Sequence, residues 1–231
     1  MKSDPVVSVI IPAFNEENGV GQVIAEIPKQ LVSEIIVVNN ASTDNTERIA
    51  KAAGATVLRE PIAGYGRACL KAIDYLKKSK TPPDVVVFLD ADHSDYPEEM
   101  EKLINPILTN GVDLVIGSRA LGKKESGAMT FQQIFGNWLA TRLLKLFYNV
   151  KFTDLGPFRA VRFLSLVNLD MQDKTYGWTV EMQIKAAKKK MKCAEVPVRY
   201  RRRIGFSKIS GTVKGTVMAG YKIIITILKN V

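Results

Sequence analysis

Short apolar runs rich in Val and Ile, nearly continuous and not alternating, constrain this chain most. Val6–Ile11, Glu34–Val38, Val85–Leu89 and Leu114–Ile116 are such runs, with a weaker one at Thr56–Leu58. Strands of this kind are buried on both faces, so helices must cover the sheet above and below. Helical patterns do lie between them, over Gly19–Gln30, Thr43–Ala53, Gly66–Lys77 and Pro97–Thr109. In the third, Ala68, Ala72, Tyr75 and Leu76 recur at helical spacing while Lys71, Asp74 and Lys77 face outward. The alternation predicts an α/β fold, a three-layer α/β/α sandwich around a mostly parallel central sheet. A chain of 231 residues can bury such a core as one large domain or as a domain with an appendage.

After about residue 120 the rhythm changes. Leu121–Thr130 is polar and charged and reads as a mobile loop. Phe131–Tyr148 reads as a long amphipathic helix, with Ile134, Trp138, Leu139, Leu143, Leu146 and Phe147 as its apolar stripe. FTDLGPFRAVR is irregular, a helix follows over Thr179–Lys190, and a strand over Ala194–Tyr200. A basic loop and a terminal amphipathic helix from about Thr212 complete the chain. Trp138 and Met100 are assigned to the core.

Open α/β sheets bind ligands beyond the carboxyl ends of their strands. Five polar segments fall there: Pro12–Glu17, Asn39–Asp44, Gly64–Arg67, Asp90–Asp92 and Gly117–Arg119. Asn15, Ser42 and Asp95 are also of the types that cap helices, and Gly64 and Gly66 also permit a turn. The pair Asp90 and Asp92 is harder to explain structurally. Ser94 or Asp95, with Pro97 and Glu98 in the first turn, already supplies the start of the next helix. Two adjacent carboxylates at a buried strand end repel each other unless one is protonated or a cation lies between them. A hard divalent ion shared with phosphate oxygens meets that need.

The chain carries 33 Lys and Arg against 23 Asp and Glu, a net charge of +10. Lys188–Lys190, Lys192, Arg199 and Arg201–Arg203 concentrate the bases late, which suits nucleic acid, anionic lipid or a nucleotide diphosphate. No nucleic-acid motif or aromatic platform accompanies them, and the acids at the strand rim would repel a phosphate backbone, so nucleic acid is not expected. Cys69 and Cys193 have no metal-ligand spacing and read as thiols of a reducing compartment. The first apolar run is too short for a signal peptide, and Val217–Leu228 falls short of the about 20 residues that span a bilayer. A cytoplasmic protein is expected, peripheral on the inner face of the membrane if it touches lipid at all.

In their order and spacing, VSVIIPAFNEE, VVNNASTDNT, GYGRA, FLDADHSDYPEE and VIGSR resemble the family 2 glycosyltransferases of the GT-A fold. TDLGPFRAVR, YGWTVEMQIKAA and VPVRYRRRIGFSKISGT are similar to the branch that contains dolichyl-phosphate mannose and glucose synthases and their bacterial relatives. The match covers about residues 6–215. It implies a GT-A domain over residues 1–211, with a nucleotide-sugar half to about 120 and an acceptor half over 121–211, followed by a C-terminal amphipathic helix over 212–231.

The resemblance further implies inverting transfer of a sugar from a GDP- or UDP-sugar donor. Pro12, Ala13, Asn15 and Glu16 fall where the family cradles the nucleotide, with Asn40 near the base and Arg67 close by. Asp90, Ala91 and Asp92 form the Asp-X-Asp motif that binds Mg²⁺ or Mn²⁺ on the pyrophosphate. Arg119 matches a basic residue near the phosphates, and Arg203 and Lys208 belong to a basic loop that closes over donor or acceptor.

Many relatives have Asp-Asp where this chain has Asn39-Asn40, and an amide can both accept from and donate to uracil or guanine. His93 has no assigned role. A polyprenyl (dolichyl or undecaprenyl) phosphate acceptor is already an anion and needs no strong base. A hydroxyl acceptor, saccharide or small metabolite, needs a carboxylate to take its proton, with Asp154 and Glu181 as candidates. A nucleotidyltransferase is the third reading, but PAFNEE is not the glycine-rich basic loop it would want.

Val213, Val217, Tyr221, Ile224, Ile225 and Leu228 share one side of the terminal helix, with Lys214, Lys222 and Lys229 available to anionic lipid. That helix either lies in the membrane interface or packs on the domain or on a homodimer partner.

Overall fold

A computed structural model describes residues 5–205 and the helix and turn over 213–230, with side chains from 218 onward in the latter segment. Seven strands form one sheet: β1 (Val7–Ala13), β2 (Glu34–Asn40), β3 (Thr56–Glu60), β4 (Val85–Phe88), β5 (Leu114–Ser118), β6 (Arg159–Arg162) and β7 (Cys193–Pro197). Their order is β3-β2-β1-β4-β6-β5-β7. β1 runs parallel to both β2 and β4, so Ile10 lies opposite Ile36 on one side and Phe88 on the other. All three are fully or almost fully buried, as the unbroken apolar runs require.

Helices cover both faces. α1 (Val20–Glu26), α2 (Thr46–Ala52) and α4 (Met100–Thr109) enclose one core with Val9, Ile11 and Val87. α3 (Tyr65–Lys77), α5 (Phe131–Tyr148), α6 (Phe163–Leu169), α7 (Trp178–Lys188) and α8 (Val213–Lys229) enclose the other with Ile10, Ile36 and Val86. α1 stops short of the expected Gln30 because Pro28 disfavours helical geometry at the residue before it.

The segment read as irregular contains the main departure from expectation. β6 pairs antiparallel with β4 and with β5, wedged between two strands that would otherwise be neighbours. Its four residues, RAVR, lack apolar alternation because Arg159 is itself fully buried. The Arg159 guanidinium is satisfied by the carbonyls of Leu155 (3.1 Å), Gly156 (3.1 Å) and Thr179 (3.0 Å). Burial pulls its pKa down, to about 10. The wedge holds the ends of β4 and β5 two interstrand spacings apart, roughly 10 Å, which opens a cleft between Asp90 and Arg119.

α5 has the expected length, with a capping box in which Thr130 accepts from Gln133 N and Gln133 accepts from Thr130 N. Its expected apolar stripe faces the core only in part, through Leu143, which packs against it half-buried. Only Ala140 and Leu144 are buried, while Ile134 (48%), Trp138 (51%) and Leu146 (73%) are exposed. The helix is apolar nearly all round, so periodicity alone could not choose a face. Met100 is in the core as expected; Trp138 is not.

α8 packs against α5 and α7. Ile227 is buried, Tyr148 Oη donates to its carbonyl at 2.6 Å, and Lys222 pairs with Asp173 at 2.9 Å. Tyr221 and Leu228, expected on the apolar side, are exposed, and the side chains of Val213, Lys214 and Val217 lie outside the described residues. Among the described residues no helix is long and apolar enough to cross a membrane. Cys69 and Cys193 are free thiols.

The two faces of α5 predict opposite outcomes. Leu144→Ala should cost about 2–5 kcal/mol in chemical denaturation, whereas Trp138→Ala should stay within about 0.5 kcal/mol.

Candidate active site

The carboxyl ends of β1, β2 and β4 and the start of α3 enclose a cavity of about 210 Å³. Pro12, Ala13, Glu16, Asn40, Asp90, Ala91, Asp92 and Arg203 all line it, so residues from four distant segments meet as expected. Asn15 braces its rim at φ 52°, donating through its backbone N–H to Ser42 Oγ (3.0 Å) while Oδ1 accepts from Thr43 N (2.8 Å). Arg67 is not in the lining, and its backbone N–H donates to Lys174 O. Lys208 lies outside the described residues.

Asn40 behaves differently from the expected base-reading amide. Its Nδ2 donates to the carbonyls of Glu60 (3.1 Å) and Ile62 (2.7 Å), and its Oδ1 accepts from Gly64 N (2.8 Å). A carboxylate has no donors for those two carbonyls, so the Asn40 amide suits this loop where an Asp would not. Gly64 and Gly66 serve a close approach as well as a turn. A Cβ on Gly64 would stand 2.3 Å from Lys174 O, and one on Gly66 2.0 Å from Asp173 O. The crossing segment delivers Tyr176 to the cavity.

Burial, then the charge of Asp92, pushes the Asp90 carboxyl up to about 7. Tyr65 donates to Asp90, whose Oδ1 is buried without a partner. Asp92 accepts from Ser94 N at 3.0 Å, and its Oδ2 faces Arg203 Nη1 at 3.1 Å. Arg203 Nη2 also reaches Glu16 at 2.9 Å, so one guanidinium bridges two carboxylates. His93 points away, with Nε2 2.8 Å from Glu26 on α1, and Arg201 bonds both Glu26 and the His93 carbonyl.

The sequence profile described as Glycosyl transferase family 2 matches residues 8–169. The chain belongs to this family. It is 30% identical to an uncharacterized protein of Methanocaldococcus jannaschii, over 95% of this chain and 90% of the relative. It is 30% identical to the undecaprenyl-phosphate mannosyltransferase of Micrococcus luteus, over 90% and 89%. The UDP-N-acetylglucosamine–dolichyl-phosphate N-acetylglucosaminyltransferase of Methanococcus voltae is 27% identical, over 98% and 96%. Among solved structures, glucosyl-3-phosphoglycerate synthase from Mycobacterium tuberculosis, in complex with Mn²⁺, UDP and phosphoglyceric acid, superposes with a TM-score of 0.77. It is 24% identical and covers 98% of this chain and 78% of that one. The sheet is thus the GT-A sheet, and the protein is a family 2 glycosyltransferase.

A second cavity, of about 310 Å³, adjoins the first and shares Tyr65, Asp90, Asp92, Tyr176 and Arg203 with it. Arg119, Trp178, Tyr200 and Ile223 complete this side, so Arg119 faces the second cavity and not the first. Asp154 holds Arg119 through Nε (2.9 Å), Nη2 (2.7 Å) and the backbone N–H (2.7 Å), and Tyr200 lies under the guanidinium at 5.0 Å. Burial works to raise the Asp154 carboxyl, but Arg119 holds it below the usual carboxylate range.

Glu181 is likewise engaged, accepting from Gln172 N (2.9 Å) and Asp173 N (2.8 Å) and pairing with Lys185 (2.9 Å). Both carboxylates expected as candidate bases are therefore occupied in holding structure.

The donor set fits one divalent cation. Asp90 Oδ1 is a buried acceptor without a donor, and Asp92 Oδ2 already faces a positive charge. Among the described residues no group of three or more His, Cys, Asp or Glu forms a metal cage, so water and phosphate oxygens would fill the remaining positions. Tyr65 and Tyr176 were not among the expected site residues; only the placement of Tyr65 between two glycines hinted at either.

Asp154→Asn would leave the buried Arg119 charge uncompensated, at a cost of about 3–5 kcal/mol at pH 7. Because the folded pKa of Asp154 is depressed, its stabilisation is complete above the unfolded value near 3.9 and is lost as pH falls through the lower folded value. The gap between wild type and variant in urea titrations should therefore be full at pH 6–7 and close below about pH 4.

Proposed function

We propose that this glycosyltransferase moves a sugar, with inversion and with a divalent metal, from a UDP- or GDP-sugar to a phosphate-bearing acceptor, polyprenyl phosphate foremost. The observation that carries this reading is the pair of adjoining cavities that meet at Asp90 and Asp92 while offering no uncommitted carboxylate on the acceptor side. Asp154 and Glu181 are occupied, and among the described residues the only acids lining the second cavity are Asp90 and Asp92. A hydroxyl acceptor needs a base there; a phosphate oxygen does not.

The residues supply the remaining requirements. A divalent cation at Asp90 and Asp92, when bound, screens the charge that develops on the departing nucleotide diphosphate. Arg203 lines both cavities and holds a further positive charge beside that group. Asp154 fixes one edge of Arg119 and leaves Nη1 for an anionic acceptor. The acceptor oxygen then attacks the anomeric carbon from the face opposite the diphosphate. The C–O bond breaks with its electron pair on the β-phosphate, and no proton moves.

Trp178 and Ile223 give the acceptor cavity apolar wall suited to a prenyl chain. The relatives named for undecaprenyl and dolichyl phosphate acceptors support the same direction, and the structural relative crystallised with Mn²⁺ and UDP supports the donor and metal. A lipid acceptor would be met at the cytoplasmic membrane surface, with exposed Met218 and Tyr221 of α8 beside the cavity wall.

The test is nucleotide diphosphate release from UDP- and GDP-sugars, with and without Mn²⁺, offered undecaprenyl phosphate or soluble alcohols. Release should require both Mn²⁺ and the lipid phosphate and fall at least about 100-fold in Asp92→Ala. Turnover with an alcohol and none with lipid phosphate would reject the acceptor assignment.

A further inference from the structure

A third cavity, of about 420 Å³, lies beyond Met129 and Asn137, which separate it from the acceptor side. We propose that it is a second anion site that takes a phosphate group carried on an apolar substituent. Four cations converge on it: Lys124 from the loop after β5, Arg142 and Lys145 from α5, and Lys151 just beyond that helix. None of the four forms an ion pair among the described residues, whereas Arg119, Arg199, Arg201 and Arg203 all do. The single carboxylate in the lining, Asp154, is already neutralised by Arg119. Four uncompensated positive charges around one concavity repel one another, and a bound anion relieves that repulsion.

The remaining wall specifies more than charge. Ile134 and Trp138, half exposed on α5, form an apolar flank, and the Arg142 guanidinium lies 5.8 Å from the Trp138 ring. A phosphomonoester carries about −1.5 to −2 charges near neutrality, which matches several cations better than a carboxylate does. A cavity of 420 Å³ leaves room for the group that the phosphate esterifies. The floor is rigid: Asn137 Nδ2 donates to Thr153 O at 2.9 Å and its Oδ1 accepts from Leu155 N at 2.8 Å. That floor is the segment that carries Asp154, which itself lines the cavity, so an occupant would sit beside the residue that positions Arg119. The site does not depend on the acceptor assignment, since binding here requires no turnover.

Trp138 is a built-in reporter, because the chain has only two tryptophans and the other, Trp178, is buried. Its emission would be followed during titration with inorganic phosphate, with monomeric short-chain phosphatidic acid, and with phosphatidylcholine vesicles with or without phosphatidylglycerol. The expected result is a saturable change with at least one phosphate-bearing anionic ligand. It should disappear in Trp138→Phe and weaken about 10-fold or more in Arg142→Glu/Lys145→Glu, one lost charge-assisted contact being enough for that factor.

A response to inorganic phosphate identifies a free phosphate group as sufficient, and a response confined to phosphatidic acid or anionic vesicles identifies a lipid headgroup; either supports the site. An equal response to neutral vesicles, a signal that survives the double charge reversal, or no saturable change with any probe would overturn it. Circular dichroism of the double variant should match wild type, so that lost binding is not lost folding.

Discussion

The structure turns on how a buried group of acids is neutralised at one end of a parallel sheet. Asp90, Asp92, Asp95 and Asp154 gather within one rim, where like charges strongly disfavour joint ionisation. Two guanidinium groups answer them, Arg119 across from Asp154 and Arg203 across from Asp92 and Glu16. What stays uncompensated is informative. Asp90, raised to about 7, and Asp95, raised by burial with both oxygens unpartnered, mark a site short of one cation. The deficit sits where a family 2 glycosyltransferase would bring metal and diphosphate.

The antiparallel wedge of β6 creates the space for that arrangement. Without it β5 would pair directly with β4, and Arg119 would sit beside Asp90 with no room for an acceptor between them. The same segment brings Asp154 up to clamp Arg119, with Glu195 accepting from Thr153 N (2.9 Å) and Gln183 donating to Asp154 O (2.9 Å) to hold it in place. Arg159 anchors the base of the wedge on three carbonyls. Geometry at the site is therefore inherited from packing some distance below it.

Much of the first cavity was legible in the chain because it follows from periodicity and from strand ends. The parallel strands, the helices between them and the placement of Pro12, Glu16, Asp90 and Asp92 at the strand ends that line one cavity follow from a β-α rhythm and ordered motifs. The second cavity was less legible. RAVR conceals a strand because its arginine is buried against backbone carbonyls, which no hydropathy pattern signals. The apolar ring around α5 concealed which face packs. Asn40, Glu181 and Asp154 have types that suit chemistry, yet each spends its polar atoms on neighbours that only the folded chain supplies.

By itself the sequence determined the class of fold, the strand rim and the acidic pair that ends β4, because these depend on residues close together in the chain. The tertiary structure decided which carboxylates remain available and which are consumed. It also turned Trp138 outward beside four cations that form no ion pair among the described residues, and turned His93 away from Asp90 and Asp92 toward Glu26. These outcomes depend on contacts between segments tens to more than a hundred residues apart, such as Arg203 with Glu16 and Arg119 with Asp154. Pairing over such separations is set by packing and charge balance in three dimensions, for which local composition carries no signal.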